Sequence, residues 1–144
     1  MVQIEKRIKR GCHHTIRRKG DVVTSISVIN VREKLSRITE QWSPKIVARL
    51  NDTHFKLVKF KGDFIWHRHQ DTDEAFFVLN GEMHIDFRDT RKTLKQGELL
   101  VVPKGVAHKP HAEEECHIML IEPAGTPNTG DVGGNRTVEE PEWI

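Results

Sequence analysis

Two short stretches of the chain contain residue types that bind divalent first-row metals. The first holds His67, His69 and Glu74, and the second holds His108. Imidazole nitrogens and a carboxylate oxygen suit Fe(II), Mn(II), Ni(II) or Zn(II), and no thiolate accompanies them. Residues i and i+2 of a strand project from the same face, so His67 and His69 can reach one ion. The sequence therefore predicts one divalent transition metal ion bound by these four side chains.

The candidate ligands stand in a regular frame of turn residues. Four residues separate Gly62 from His67, four separate His69 from Glu74, and six separate Glu74 from Gly81. In the second stretch, Gly97 is followed by Pro103, Gly105 and His108. A lone His-x-His pair is more often a surface or hydrogen-bonded pair than a metal site. The full series in order is far more specific for metal binding.

Over Thr53 to Pro123 this pattern resembles the two consensus motifs of the cupin superfamily. The resemblance implies metal-ligand roles for His67, His69, Glu74 and His108. It also implies an all-β fold, the cupin double-stranded β-helix or jelly-roll barrel. Two departures exist: the gap after Gly62 is one residue shorter than usual, and His111 stands where the second motif usually has asparagine. Neither departure removes a ligand.

Strand and turn signals support a barrel over residues 53–123. Asn80-Gly81 predicts a type I′ hairpin turn. Before the barrel, Asn30 and Glu33 form a capping-box pattern that begins a helix over residues 31–40, and Trp42-Ser43-Pro44 ends it. The predicted strands cover residues 54–60, 64–69, 75–79, 82–88, 98–102 and 114–121.

Alternation along these strands assigns side chains to faces. If both histidines of the first stretch point into the barrel, Ile65 joins them, and Phe76 and Val78 share a face with Glu74. The predicted substrate pocket is therefore lined by Ile65, Phe76 and Val78. Phe64 and Trp66 are then predicted to face outward. Such apolar residues need cover from the helix or from a second copy of the chain, so we expect a homodimer.

The composition fits one domain flanked by two arms. The chain has 144 residues and a formal net charge of +2, but residues 1–26 alone carry seven Lys and Arg against two Asp and Glu. This basic leader could contact an anionic surface or nucleic acid. A solvated extension with one β-prone stretch at 22–29 is favoured, and the domain itself is not expected to bind nucleic acid. The cupin domain is assigned to residues 27–123 and an extended tail to 124–144. No membrane span is evident, and two unpaired cysteines favour the cytoplasm.

The resemblance allows several activities. A metal-dependent enzyme acting on a small oxygenated molecule, with dioxygenase or sugar isomerase-like chemistry, is the favoured hypothesis. Compact chains of this form resemble cupins described as mannose-6-phosphate isomerase-like, a label that rests on fold. His111 could orient a ligand or carry a proton, or could be an exposed loop histidine. The alternative function is a non-catalytic cupin that binds or senses a small ligand.

Overall fold

The computed structural model describes residues 14–16 and 24–144, and most of the fold is antiparallel β-structure. The remainder of the basic leader, residues 1–13 and 17–23, lies outside the described residues. The predicted contact of the leader with an anionic surface or nucleic acid falls on that part. The elements in chain order are β1 (His14–Ile16), β2 (Thr24–Ile26), α1 (Val31–Ser36), β3 (Lys45–Leu50), β4 (Thr53–Asp63), β5 (Glu74–Asn80), β6 (Glu82–Asp86), β7 (Arg91–Lys95), β8 (Leu99–Val102) and β9 (Lys109–Pro123).

The long strand β9 organises a seven-stranded sheet. It pairs with β4 along one edge, and with β5 and then β6 along the other edge. The sheet order is β3-β4-β9-β5-β8, with β7 joined to β6. This wrapping is the predicted cupin jelly roll, and the fold class is confirmed. Strands β1 and β2 form a separate two-stranded sheet, so residues 24–26 of the β-prone stretch at 22–29 pair there.

Helix α1 begins where the capping residues predict but is shorter than the predicted 31–40. The Asn30 side chain accepts a hydrogen bond from the Glu33 backbone N–H at 3.1 Å. The helix ends at Ser36, and the chain then turns so that the Trp42 N–H donates to the Lys59 carbonyl at 2.9 Å. Trp42 has a φ of 59°, an uncommon left-handed conformation for a bulky residue. In the part of the chain that the structure describes, no helix is long and apolar enough to cross a membrane.

Three features of the sheet differ from the sequence predictions. Strand β3 precedes the predicted start of the barrel and pairs with β4 across a turn in which Asn51 has a φ of 54°. Strand β7 was not predicted, because a single buried residue, Leu94, gives it no alternation. The type I′ hairpin at Asn80-Gly81 was wrong: Gly81 turns the chain with a φ of 90°, but β5 and β6 both pair with β9 and not with each other.

The outward placement of Phe64 was also wrong. Residues 64–69 form no continuous strand, so the two-residue period does not apply to them. Phe64 is buried, and its ring stacks on Trp42 with centroids 4.8 Å apart. Trp66 is half-buried, with the Arg88 guanidinium 4.1 Å from its ring centre. Both aromatic rings are therefore covered within one chain.

Two apolar clusters form the core. The smaller one lies between α1 and the outer face of β4, where Leu35 and Ile38 pack with Val47 and Leu57. The larger one fills the barrel interior, and its members come from six strands. It contains Val58, Phe60, Phe76, Val78, Met83, Ile85, Leu94, Val102, Ala112, Cys116, Ile118 and Leu120.

A buried ion pair interrupts this apolar interior. Lys56 Nζ lies 2.8 Å from Glu122 Oε1 and also donates to the Thr126 carbonyl oxygen at 3.3 Å. The two side chains are 1% and 0% exposed. Burial, and then the charge of Glu74, raise the pKa of Glu122 above its usual range. Such pairs cost desolvation energy and add little net stability, although removing one partner is strongly destabilising.

We predict that Lys56→Met destabilises the protein more at high pH than at low pH. The variant leaves Glu122 buried without its cation. Because the folded-state pKa of Glu122 is raised, its contribution to stability is greatest when the carboxyl is protonated and is lost as pH rises through that pKa. The expected loss in free energy of unfolding is about 3 kcal/mol at pH 8 and smaller at pH 5.5. Denaturant unfolding of metal-free protein at both pH values measures it.

The matched control is Lys56→Met/Glu122→Leu, which removes both charges. We expect its stability to be close to that of the wild-type protein at both pH values. A single variant as stable as wild type at pH 8, or a double variant as unstable as the single one, would contradict this account.

Candidate metal centre

Main-chain pairing brings the two ligand stretches together. His67 and His108 form an isolated antiparallel bridge, in which the His67 N–H donates to the His108 carbonyl at 3.1 Å and the reverse bond is 2.9 Å. The Gly105 N–H also donates to the His69 carbonyl at 2.7 Å. Glu74 is the first residue of β5, and His108 immediately precedes β9. Stretches distant in sequence are thus fixed to each other by backbone hydrogen bonds.

The four predicted ligands converge inside the barrel. His67, His69, Glu74 and His108 are all buried, and one ligand atom from each lies within 4.8 Å of all the others. Glu74 Oε2 is the common neighbour, 3.1 Å from His108 Nε2 and 3.2 Å from His69 Nε2. These distances are short enough for one ion to contact all four groups after small side-chain adjustments. Within the described part of the chain, these four side chains are the group of His, Cys, Asp or Glu residues that is arranged so that it could hold a metal ion.

The backbone fixes the orientation of two of the imidazoles. His67 Nδ1 lies 3.0 Å from the Ile65 carbonyl oxygen, and His108 Nδ1 lies 3.0 Å from the Val106 carbonyl oxygen. A carbonyl only accepts hydrogen bonds, so each Nδ1 carries the proton and donates it. In the neutral rings, each Nε2 then directs a lone pair toward the cluster. Second ring nitrogens bonded to carbonyls in this way are the usual support of metal-binding histidines.

The protonation states of His67 and Glu74 suit a cation. Burial, and then the charge of His108, lower the pKa of His67 to about 4, so its ring is neutral at pH 7. Burial alone would raise the pKa of Glu74, but His108 and His69 outweigh it and hold that pKa below its usual range. The pKa of His69 is raised, because Glu74 outweighs the opposing effect of burial. An ionised carboxylate therefore faces imidazole nitrogens in a buried site.

One atom of the cluster remains unsatisfied by protein. Among the described residues, the buried Nε2 of His69 has no hydrogen-bond partner, since its contact with Glu74 lacks hydrogen-bond geometry. Buried polar atoms without partners are costly, and lone pairs that converge on one another repel. A divalent cation would satisfy all four groups at once. The residues present therefore fit the metal that the motifs predict.

A small apolar cavity adjoins the cluster. Its volume is about 30 Å³, enough for one or two water molecules. His67 and Glu74 are the ionisable side chains in its wall, and the stacked rings of Trp42 and Phe64 form part of it. The full lining consists of Trp42, Pro44, Val58, Phe60, Phe64, His67, Glu74, Phe76, Pro110, Ile118, Leu120 and Asn128.

The three predicted pocket residues lie in different places. Phe76 lines the cavity, with its ring edge-on to His108 at 5.9 Å between centroids. Val78 lies deeper in the core cluster of the barrel. Ile65 is half-buried and is not part of the cavity lining, although its carbonyl oxygen accepts from His67. The structure thus brings one of the three to the cavity.

His111 lies away from the four ligands. Its Nδ1 is 2.7 Å from Asp63 Oδ1, and its Nε2 is 3.0 Å from Glu113 Oε1. Its ring stacks on His84 with centroids 5.9 Å apart. On β9 it alternates with Pro110, which lines the cavity, so the two side chains project from opposite faces of the strand. These contacts give it no access to the cluster.

Sequence reasoning missed several residues around the site. Trp42 was predicted at the end of the helix, on an apolar stripe that packs on the barrel or across a dimer seam, and its positive φ had no signal in the sequence. Asn128 belongs to the tail and lines the cavity twenty residues after the last ligand. Lys56 and Glu122 alternate with apolar residues on β4 and β9. A charged residue at an inward-facing position of such a strand was the signal that could have predicted the buried ion pair.

The comparisons with known proteins agree with this geometry. The cupin-domain family model Cupin_2 matches residues 56–122. A cupin-2 domain containing protein from Shewanella frigidimarina is 55% identical with a TM-score of 0.66, over 67% of this chain and 94% of that chain. Protein NMB1881 from Neisseria meningitidis is 40% identical with a TM-score of 0.63, over 68% of this chain and all of that chain.

A curated relative is also similar. YdbB from Bacillus subtilis is 37% identical over 75 residues, which cover 51% of this chain and 66% of YdbB. The matched region thus spans just under two thirds of that protein's length. From its jelly-roll sheet, its two motifs and these relatives, we conclude that the chain belongs to the cupin superfamily, as a protein with one cupin-2 domain.

Proposed function

We propose that this protein is a metal-dependent enzyme that acts on a small oxygenated molecule. The observation that carries the proposal is the convergence of three buried imidazoles and one buried carboxylate beside an apolar cavity. His67, His69, Glu74 and His108 would hold one divalent ion of Fe, Mn, Ni or Zn. When bound, such an ion supplies Lewis-acid or redox chemistry to an oxygen ligand. Four protein ligands would close a tetrahedral structural zinc but would leave positions free on an ion that prefers six ligands, and the adjoining cavity favours the second case.

The chain's own residues would prepare the site for that chemistry. The Ile65 and Val106 carbonyls hold two imidazoles with their Nε2 atoms toward the ion position. Phe76 and the Trp42–Phe64 pair give the adjoining cavity an apolar wall with room for no more than one or two water molecules. Excluding water strengthens electrostatic interactions within a site.

The cavity wall favours a substrate with an apolar body and no phosphate. Its ionisable side chains are His67 and Glu74, both assigned to the metal, and no lysine or arginine of residues 24–144 lines it. A sugar phosphate would bring a dianion next to the carboxylate of Glu74 without a protein cation to offset it. Dioxygenase-type chemistry on a planar, oxygen-bearing ring therefore fits better than sugar-phosphate isomerisation. Because the cavity has room for only one or two water molecules, an aromatic ring could enter only if wall residues such as Trp42 and Phe64 moved.

The second candidate is a non-catalytic cupin that binds or senses a small ligand. One observation favours it: among the described residues that line the cavity, no ionisable group remains for acid–base chemistry once the two ligands are assigned. Measured turnover separates the two functions.

A homodimer in the cytoplasm completes the proposal. The earlier reason for a dimer, outward Phe64, no longer applies. Strand β8 provides a different one, because it ends the sheet order and carries Leu99 and Val101, which are 57% and 50% exposed. Exposed apolar edge strands are frequent sites of association. A reducing cytoplasm suits the buried free thiol of Cys116.

Metal retention is the first prediction. Protein purified without a histidine tag should contain close to one transition metal per chain by elemental analysis. His67→Ala/His69→Ala should lose nearly all of it, because two of four ligands are gone. The matched control is His84→Ala/His117→Ala, which removes two histidines that contact Thr93 and Glu115 outside the cluster. Equal metal content in wild type and in the His67→Ala/His69→Ala variant would refute the site.

Ligand selectivity tests the proposed activity. Cobalt-loaded protein should change its visible spectrum on addition of catechol, and much less on addition of a sugar phosphate, because the cavity wall offers no cation for phosphate. Iron-loaded protein should consume oxygen and the diol together. Spectral change without turnover across a panel of diols would establish the binding function instead. An absence of any spectral response would contradict both the enzyme proposal and the ligand-binding proposal.

The dimer is tested by light scattering coupled to size exclusion. Wild type should give about twice the 16.7 kDa chain mass, and Leu99→Lys/Val101→Lys should give the monomer mass, because charges replace the apolar edge. Val132→Lys, at a position that is 57% exposed in the tail, serves as control and should remain dimeric. A wild-type monomer at micromolar concentration would refute the dimer.

A further inference from the structure

The segment that carries His67 and His69 has little support of its own. On one side it is held by the hydrogen bond from the Phe64 N–H to the Pro110 carbonyl at 2.9 Å, the bridge from His67 to His108, and the bond from Gly105 to the His69 carbonyl. No strand runs through residues 64–73, so no ladder continues past that bridge. Two ligands of the proposed metal therefore lie on a segment that needs support from another part of the chain.

The C-terminal tail supplies that support through Asp131. The Asp131 N–H donates to the Arg68 carbonyl oxygen at 3.1 Å. In return, Asp131 Oδ1 accepts from the Arg68 N–H at 3.2 Å, and Oδ2 accepts from Arg68 Nε at 2.9 Å. Three hydrogen bonds thus fix both backbone groups of the residue between the two histidines. The Arg68 N–H and carbonyl are therefore both bonded to Asp131, as they would be to a residue of a neighbouring strand.

Gly130 allows this close approach. It has a φ of 55°, and a side chain there would overlap the Arg68 carbonyl group and lie 3.3 Å from His67 Cδ2. The absence of a side chain is therefore required for the tail to lie against the ligand segment. The tail backbone at Gly130 therefore lies next to the ring of a ligand as well as the carbonyl of Arg68.

The tail around these residues is internally braced. Thr129 is fully buried, and its Oγ1 lies 2.6 Å from Thr137 Oγ1. Asn128 donates to the Arg136 carbonyl at 3.0 Å and accepts from the Val138 N–H at 2.7 Å. Arg136 in turn donates to the Asp63 carbonyl at the end of β4. Residues 126–138, which we name the C-terminal clamp, thus form a cross-linked loop attached on both sides of the ligand segment.

We propose that the C-terminal clamp positions His67 and His69 for metal binding, and that Asp131 is its principal positioning residue. The inference rests on the proposed metal site but concerns residues that lie outside the matched family domain, which ends at residue 122. Asp131 does not contact the ion position itself. It acts through Arg68, whose backbone sets the spacing of the two imidazoles.

The test compares three variants in the full chain. Asp131→Ala removes both carboxylate contacts, and Asp131→Asn keeps an oxygen that can accept from the Arg68 N–H. Asp86→Ala is the matched control, because Asp86 forms a two-point ion pair with Arg91 and a longer contact with Lys109 at 3.6 Å, but makes no hydrogen bond with the described residues 64–73 that carry His67 and His69. Cobalt affinity is measured by chelator competition, and the cobalt visible spectrum reports ligand geometry. Amide hydrogen exchange at His67 is measured in the metal-free protein.

We expect Asp131→Ala to bind cobalt about tenfold more weakly than wild type, with an altered spectrum, as for other supports of metal ligands. The His67 amide, which is bonded to His108, should exchange faster. Asp131→Asn should recover most of the affinity, and Asp86→Ala should match wild type. Equal cobalt affinity in Asp131→Ala and Asp86→Ala would overturn the proposal, as would an Asp131→Asn affinity as low as that of Asp131→Ala. Wild-type protein that binds no cobalt would refute the metal site itself, and the clamp proposal with it.

Discussion

The carboxylate of Glu74, buried among three imidazoles, is the constraint on which the rest of the site depends. Its Oε2 faces His108 Nε2 and His69 Nε2 at hydrogen-bond distance, yet the Nδ1 proton of His108 is already donated to a carbonyl. In the neutral ring, the remaining lone pair points at an anion. A second proton or a cation is needed to make this arrangement favourable, and a divalent metal satisfies every member of the cluster.

The barrel meets this constraint with backbone hydrogen bonds drawn from distant parts of the chain. The His67–His108 bridge sets two ligands opposite each other, and the start of β5 places Glu74 beside them. The Lys56–Glu122 pair adds further charge within the same interior, and the charge of Glu74 contributes to the raised pKa of Glu122. The interior of this barrel is therefore polar at one end, around the ligands and the ion pair, and apolar through the remainder of the core.

The sequence predicted the fold class and the set of residues that converge, because both depend on short motifs with fixed spacing. The cupin pattern fixes which side chains face inward around each turn, and four of these meet as expected. The surroundings of the cluster were harder to predict. Trp42 reaches the cavity through a positive φ, and Phe64 turns inward because its segment is not a strand. Neither feature can be predicted from an alternation of polar and apolar residues in the sequence.

Long-range contacts account for the other differences. Asn80-Gly81 has the composition of a hairpin turn, but pairing of both flanking strands with β9 outweighs that local preference. The tail reads as an extended arm because its glycines and polar residues carry no period, whereas its contacts with Arg68 are specific. His111 occupies a motif position and yet faces the outer surface, where Asp63 and Glu113 bind it.

A crystal structure of metal-loaded protein, with anomalous scattering recorded at the absorption edge of the bound metal, tests the central claim most directly. The account predicts one anomalous peak per chain, about 2.1 Å from an imidazole nitrogen of each of the three histidines and from a carboxylate oxygen of Glu74. A peak bound elsewhere, or a cluster whose four side chains keep their mutual contacts with no peak between them, would contradict it.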